Sequence, residues 1–471
     1  MEDISKDVIN NSAFEGVRLV EFEIFGLFGR YDYKIPLNVT EHITAIIAPN
    51  GTGKTLCLRL IAALFNQKWA SFIEVDFLRV VYTFNNGMTI EARKKPVSGG
   101  DEEQVPRAVT LTVKPLKGKP ISWTPKLAED LRAFPVERYL PFMNRVGPNK
   151  WRDGHTGELM PLDAVLEVYQ DMLPEHITES VFGAKPRELI SIVSQIDCKL
   201  IETQRLLILS DEDYDRYSVS RNKRVTNLAI TRKAEKLKEI IAREISAYAT
   251  LSQSLDRSFP RRVITQAGSS PEGLVEKLES LDKKRLELME AGILDKEADS
   301  PVEMPEGPLN PAIASVLNVY AEDTGEKLSS LSPLLAKIKL FKKLIDQRFV
   351  TKDVNISKKN GIDVISQGFP LSLDKLSSGE QHQLVLFFEL LFEIKKNSLI
   401  LIDEPELSLH VAWQKKFIGD LLSIINLNKF DVILATHSPQ LISRWSGLVV
   451  ELGDVYEGDY DEQYNEEGDE H

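Results

Sequence analysis

The chain has 471 residues, 42% of them hydrophobic and 27% charged, with a formal net charge of -13. That length exceeds what one simple core fills, so two units or one domain with a large insertion are expected; the composition excludes a disordered chain, and no apolar run is long enough to cross a bilayer as a helix. The acidic, polar start from Met1 to Ser12 does not read as a secretory signal, and Cys57 and Cys198 lie in apolar-patterned segments, as buried thiols of a reducing cytoplasm do.

From Val17 to Phe25 apolar and polar residues alternate, which predicts a strand, and a second strand follows the polar turn at Gly29 to Asp32. Thr44 to Ala48 is a short β-prone run and Leu56 to Phe65 a helical pattern, with a glycine-rich loop between them. Val75 to Phe84 and Met88 to Arg93, joined by Asn85-Asn86-Gly87, read as a hairpin, and strand-like sequence continues to Trp123. Mixed and helical character from Asp163 to Leu209 gives way to long, charged, Leu-rich segments with three apolar seams. These are Leu237, Ile241, Tyr248, Leu251 and Leu255; then Leu274, Leu278, Leu281 and Leu288; then Leu331, Leu334, Ile338, Phe341 and Ile345. Three helices packed together would hide them, as a short arm. Ser300 to Pro311, with its four prolines, is expected as an extended connection.

A second hairpin is predicted from Asp353 to Ile356 and Ile362 to Ile365, on either side of Lys358-Lys359-Asn360-Gly361. The expected division is therefore a head split by an insertion: 1–210, a helical or coiled-coil insertion at 211–350, the rest of the head at 351–455, and an acidic tail at 456–471. From Glu451 onward there are ten acidic residues and no Lys or Arg, so the body is only mildly acidic. Charge alone does not point to nucleic acid, although Arg257 to Arg262 could line a local basic groove.

The loop Ala48-Pro49-Asn50-Gly51-Thr52-Gly53-Lys54-Thr55 has the spacing of a P-loop. Its backbone N-H groups and the following helix's positive end would surround phosphates, with Asn50, Gly51 and Gly53 lining the approach. Lys54 should reach the β- and γ-phosphates of ATP, and Thr55 should offer a hydroxyl to Mg2+. Ala48 replaces the usual first glycine, harmlessly at negative φ and at a cost in the left-handed region. Leu399 to Ile402 is a continuous apolar run ending in Asp403-Glu404, as in a buried parallel strand delivering carboxylates at its C-terminal end. Asp403 would hold Mg2+ and Glu404 would polarise the attacking water.

Leu376-Ser377-Ser378-Gly379-Glu380-Gln381 resembles the ABC signature motif, and the spacing of Ser377 and Glu380 is that of a capping box. The order of P-loop, signature, acidic strand and Thr436-His437-Ser438 is that of an ABC head. The expected fold class is thus α/β, a P-loop NTPase of ABC-ATPase head type with mixed sheets in two lobes and a short helical coiled-coil arm. The resemblance implies head-to-tail dimers in which Ser378, Gly379 and Glu380 meet the other copy's ATP, with His437 at the γ-phosphate. His410 stands where the D-loop usually carries Asp. Gln204 resembles the glutamine with which SMC-like ATPases sense Mg2+ and water, with Arg205 as the alternative. Tyr31 and Arg30 could meet the adenine and phosphates.

Across Leu27 to Tyr33, Trp151-Arg152-Asp153 with Thr156-Gly157-Glu158, and Ser254 to Pro260, the chain resembles OLD-like ATPases of bacterial anti-phage defence. It is most similar to the ATPase subunit of PARIS systems. That resemblance implies a homo-oligomer controlling a separate TOPRIM-type nuclease until a phage anti-restriction protein acts as trigger. An SMC-like DNA-binding repair ATPase and a retron- or Septu-type ATPase with an HNH nuclease are the alternatives. No membrane partner is expected.

Overall fold

The computed structural model describes residues 16–94, 109–125, 135–148, 150–154, 157, 159–162, 165, 169, 172–173, 183–202, 221–265, 273–295, 310–349, 351–442 and 444–453. The first half contains β1 (Leu19–Leu27), β2 (Tyr31–Pro36), β3 (Ile43–Ile47), α1 (Lys54–Phe65), α2 (Trp69–Glu74), β4 (Arg79–Phe84), β5 (Thr89–Lys94), β6 (Val109–Lys114), β7 (Ile121–Trp123), α3 (Val136–Tyr139), β8 (Met143–Gly147), β9 (Lys150–Asp153), β10 (Leu159–Met160), α4 (Arg187–Val193) and β11 (Cys198–Glu202). The second contains α5 (Arg221–Thr265), α6 (Leu274–Glu290), α7 (Pro311–Ser330), α8 (Ser332–Asp346), β12 (Lys352–Ser357), β13 (Gly361–Ser366), β14 (Phe369–Leu371), α9 (Ser378–Phe388), β15 (Leu399–Asp403), α10 (Val411–Asn428), β16 (Asp431–Thr436), α11 (Pro439–Ile442) and β17 (Val449–Glu451).

Five strands form a parallel sheet in the order β11-β15-β16-β3-β17. Its central strands, β15 and β16, are buried along their whole length, which is why their sequences are unbroken apolar runs rather than alternating ones. Alternate residues still face opposite layers. Ile46, Leu399, Leu401, Ile433 and Ala435 pack with α1 and with the antiparallel sheet β2-β1-β4-β5-β6-β7. Ala45, Ile400, Ile402, Val432 and Leu434 pack with Phe341 of α8, Phe387 of α9 and Ile424 of α10. Helix α1 is therefore held between two sheets, and Leu58, Leu60, Ile61 and Leu64 are all inaccessible to solvent. Because the strands are parallel, their C-terminal ends collect at one edge, where open α/β sheets place ligands.

Helix α5 has 45 residues, about 68 Å at the usual rise. Its lower half is rooted in the head by Ile230, Ala234, Leu237 and Ile241. The turn between β12 and β13 approaches it so closely that a Cβ on Gly361, at φ 72°, would lie 1.9 Å from the Ala234 carbonyl oxygen, so that position requires glycine. The distal half pairs with α7 through Arg262 and Asp323 and through Lys327 and Asp256. Helix α7 in turn packs on α6 through Leu274, Leu278 and Ala321.

Two expectations for the arm are corrected. The third seam does not belong to it: Leu334, Ile338, Phe341 and Ile345 lie on α8, inside the cluster that covers the parallel sheet. The arm's third helix is α7, whose buried face consists of Ala314, Ser315, Val319, Ala321, Asp323, Thr324 and Leu328, too small and polar to register as a heptad seam. Nor is Pro311 part of an extended connection. It opens α7 behind Asn310, whose side chain accepts a hydrogen bond from the Ala312 N-H at 2.9 Å, a position where proline forfeits no helical bond. The remainder of the proline-rich stretch and the tail beyond 453 lie outside the described residues. Among the described residues no helix is long and apolar enough to cross a membrane.

Candidate nucleotide site

The loop at 48–53 leaves β3 at the C-terminal edge of the parallel sheet and enters α1 at Lys54. Gly53 is the N-cap at φ 93°, and a Cβ there would come within 2.5 Å of Leu27 Cδ2. Ala48 is buried and stays out of the left-handed region, so its departure from the glycine pattern carries no backbone strain. Lys54 is buried, and its Nζ donates to the carbonyls of Ala48 at 2.7 Å and Pro49 at 2.9 Å. Burial pulls its pKa below the usual lysine value, while the carboxylates of Glu404, Asp403 and Glu406 act in the opposite direction. Among the described residues, the amides of Gly51, Thr52, Gly53 and Lys54 donate to no other backbone group. Undirected donors at a helix N-terminus beside a buried ammonium fit a polyphosphate.

The loop is braced from the antiparallel sheet. Tyr33, on β2, donates its hydroxyl to the Thr52 carbonyl at 2.9 Å, and burial pushes its pKa up to about 12. Tyr31 stacks on Tyr33 at 5.6 Å, and the Arg30 guanidinium sits over the Tyr31 ring. The two residues singled out from sequence, Tyr31 and Arg30, thus extend a stack that ends on the loop. Tyr33, which the alternation of β2 marks only as core, is its point of contact.

Strand β15 delivers the acidic pair. Thr55 Oγ1 donates to Asp403 Oδ2 at 2.8 Å, which places a hydroxyl and a buried carboxylate together as oxygen ligands suited to a hard cation. Glu404 leaves the sheet at φ 47°, ψ 53°, a left-handed conformation costing a non-glycine residue on the order of 1–3 kcal/mol and tolerated where the surroundings enforce it. Here its N-H donates to the Ala435 carbonyl at 2.9 Å, and its own carbonyl accepts from Leu407 N-H at 3.2 Å. The Glu404 Oε1 lies 2.6 Å from His437 Nε2, both side chains being about three-tenths exposed. Asp403, Glu404, Thr55, Lys54 and His437 therefore converge on the P-loop edge.

The signature residues do not join them within one chain. Ser377 caps α9, with both capping-box bonds present, and the Glu380 carboxylate is committed to Ser377 and to Lys352 Nζ of β12, at 2.6 and 2.7 Å. Burial alone would push that carboxyl up, but the Lys352 and Ser377 bonds outweigh it and hold it below the usual glutamate range. Ser378 is exposed and Gly379 half-buried, and among the described residues neither forms a hydrogen bond to residues 48–55. Asn50 and Gly51 are likewise exposed. His410 accepts from the Ala412 N-H at 3.3 Å as the N-cap of α10 and meets Trp413 edge-on. It fills the capping role open to an Asp at that position. Gln204 and Arg205 lie outside the described residues.

Two residues absent from the sequence reading connect these parts. Glu406 Oε1 accepts from Thr436 Oγ1 at 2.7 Å and from the His437 N-H at 2.8 Å. Gln414 donates to the carbonyls of Glu406 and Leu409 and accepts from Ser438 Oγ at 2.8 Å. The only sequence signal was a second carboxylate two residues after Glu404.

Comparison with known proteins agrees with this chemistry. The AAA_15 family, described as AAA ATPase domain, matches residues 220–442, from the arm to the segment after His437. No curated protein matches the chain. Similar solved structures include the Smc head domain of Pyrococcus furiosus with an extended coiled coil, bound to the C-terminal domain of ScpA, at 10% identity and TM-score 0.30 over 91% of this chain and 92% of that one. The SMC head domain from Thermotoga maritima aligns at 13% identity and TM-score 0.29 over 90% and 91%. Superpositions at that level carry no weight, and the fold rests on the strand order and the loop. A P-loop at the C-terminal edge of a parallel sheet, an acidic strand beside it and the ATPase-domain match over 220–442 make the chain an ATPase with a P-loop α/β fold.

Proposed function

We propose that this ATPase closes head to tail with a second copy and, in that oligomer, restrains a separate TOPRIM-type nuclease in anti-phage defence until a phage anti-restriction protein releases it. The observation that carries the two-copy part is the split site: the residues gathered at 48–55, 403–404 and 437 share one edge, while the capped N-terminus of α9 offers exposed Ser378 elsewhere. Helix N-termini favour anions, and a second copy's Ser378, Gly379 and Glu380 segment supplies the missing wall.

In this reading Lys54 and the loop amides hold the β- and γ-phosphates, and Asn50, Gly51 and Gly53 allow the backbone to approach them. Thr55 and Asp403, together with Gln204 if the resemblance holds there, would hold Mg2+, which when bound would neutralise charge on the phosphates. Glu404 accepts a proton from the attacking water, and His437, whose Nε2 meets that carboxylate, stands at the γ-phosphate end of the site. The OLD-like resemblance of the Leu27–Tyr33, Trp151–Glu158 and Ser254–Pro260 stretches supports the defence role, and the compact arm, with α6 and α7 folded along α5, supports a sensor rather than a long clamp.

The test is co-purification of tagged chain with the product of the adjacent gene, with and without ATP, alongside mass measurement of the Glu404→Gln variant in ATP. An ATP-dependent oligomer that carries the nuclease is expected. A strictly monomeric enzyme at full turnover refutes the two-copy site. Salt-sensitive DNA binding with DNA-stimulated hydrolysis points instead to an SMC-like repair motor, and an HNH partner to a retron- or Septu-type system.

A further inference from the structure

We infer that Glu406 is a positioning residue for the hydrolytic step: it fixes the segment Thr436-His437-Ser438 to the turn that follows β15, and so sets His437 against Glu404. The inference rests on the ATPase site described above and concerns a residue that no motif in that site includes.

One carboxylate oxygen, Glu406 Oε1, receives both the Thr436 hydroxyl and the His437 backbone N-H, at 2.7 and 2.8 Å. The Thr436 hydroxyl oxygen accepts in turn from the Ser438 N-H at 3.0 Å, and Ser438 Oγ donates to Gln414. Gln414 closes the ring by donating to the Glu406 and Leu409 carbonyls at 3.4 and 3.2 Å. Backbone bonds tighten the same turn, from Leu407 N-H to the Glu404 carbonyl and from Leu409 N-H to the Glu406 carbonyl. The turn at 404–409 and the segment at 436–438 are thus one hydrogen-bonded body, although the residues they join are about 30 positions apart in sequence.

The consequence is geometric. His437 has a single described side-chain partner, Glu404, and its Nδ1 is buried with no hydrogen-bond partner among the described residues. The imidazole's one described contact ties it to Glu404, while its backbone is set by the end of β16 at Thr436 and, just beyond the sheet, by Glu406 on the His437 N-H. A carboxylate suits this task better than a neutral acceptor, since hydrogen bonds to a charged oxygen are the stronger kind. The same body carries Leu407, 63% exposed at the crest of the turn, so whatever touches Leu407 is rigidly connected to the imidazole.

Loss of the bonds should appear in turnover rather than in ATP affinity. Glu406→Ala is expected to lower kcat on the order of 100-fold, the scale of a misplaced catalytic group, with a much smaller change in the ATP Kd, because Glu406 makes no hydrogen bond to the P-loop and reaches Lys54 through its charge alone. Glu406→Gln keeps an oxygen that can accept both bonds and should recover most of that loss. The discriminating measurement is a double-mutant cycle. If Glu406 acts through His437, Glu406→Ala combined with His437→Ala is no slower than His437→Ala alone. Additive losses, or a Glu406→Ala enzyme at wild-type speed, overturn the inference. Should Glu406→Ala fail to fold, Thr436→Val removes one of the two bonds from the opposite side and must show the same non-additivity. A wild-type chain that neither binds nor hydrolyses ATP would instead be a failure of the ATPase site itself, so the two results are separable.

Discussion

Replacing Asp420 with Ala isolates a charge behind the signature helix, and its cost can be worked from the structure. Arg348 is 4% exposed, at the end of α8; its guanidinium pairs with Asp420 of α10, donates to the Leu344 carbonyl at 2.7 Å and lies 4.6 Å over the Phe387 ring of α9. One buried cation thus ties three helices together. Burial pushes the Asp420 carboxyl up, more strongly than Arg348 pulls it down, so desolvation outweighs attraction in the intact pair. Two outcomes follow from that balance. Asp420→Ala leaves the guanidinium uncompensated and should destabilise by about 3–5 kcal/mol, whereas Arg348→Met with Asp420→Leu, which removes both charges, should fall near neutrality. Urea unfolding followed by intrinsic fluorescence measures both, the single variant moving the midpoint by at least about 1 M if the slope is near 3 kcal/mol/M. A single variant within about 1 kcal/mol of wild type, or a double variant as damaged as the single one, refutes the reasoning.

Lys54→Ala should abolish detectable binding of a fluorescent ATP analogue, because the buried ammonium is the main cation of the loop; retained affinity would place the phosphates elsewhere. Glu404→Gln should bind ATP normally yet turn over at least about 100-fold more slowly, in phosphate-release assays, as expected when a general base is neutralised; unchanged turnover removes Glu404 from that role. The capping box supplies a pH prediction. Since the folded pKa of Glu380 is depressed, its contribution is present above the unfolded value of about 4.3 and lost as pH falls through the lower folded value. Glu380→Gln should therefore flatten the acid limb of a stability profile recorded below about pH 5, and a limb identical to wild type would remove Glu380 from acid sensitivity.

The parallel core was legible because burial on both faces leaves an unmistakable pattern: nothing but Leu, Ile, Val and Ala fills the interior of β15 and β16. The capping box was legible for a similar reason, as a local contact between Ser377 and Glu380 three residues apart. The arm was harder to read. An amphipathic seam states that a helix face is buried but not against what, so α8 read as arm although it covers the head, and α7 escaped because small residues suffice where helices approach closely. Glu406 was illegible in principle: its partners are Thr436 and His437, and no periodicity encodes a bond between two loops brought together only by the sheet. Lys352 beside Glu380 belongs to the same class.

The pairing of β11 with β15 has a consequence for how the molecule assembles. Cys198 faces Leu399 and Glu202 faces Asp403, partners separated by about 200 residues, and closing a loop of that length costs about 2.7 kcal/mol more in chain entropy than closing one of ten. Folding α5, α6 and α7 first shortens the effective loop, because helices form from neighbouring residues. The carboxylate-bearing strand should thus find its edge neighbour only after the intervening helices have folded, and slow acquisition of nucleotide affinity during refolding would be the kinetic trace of that order.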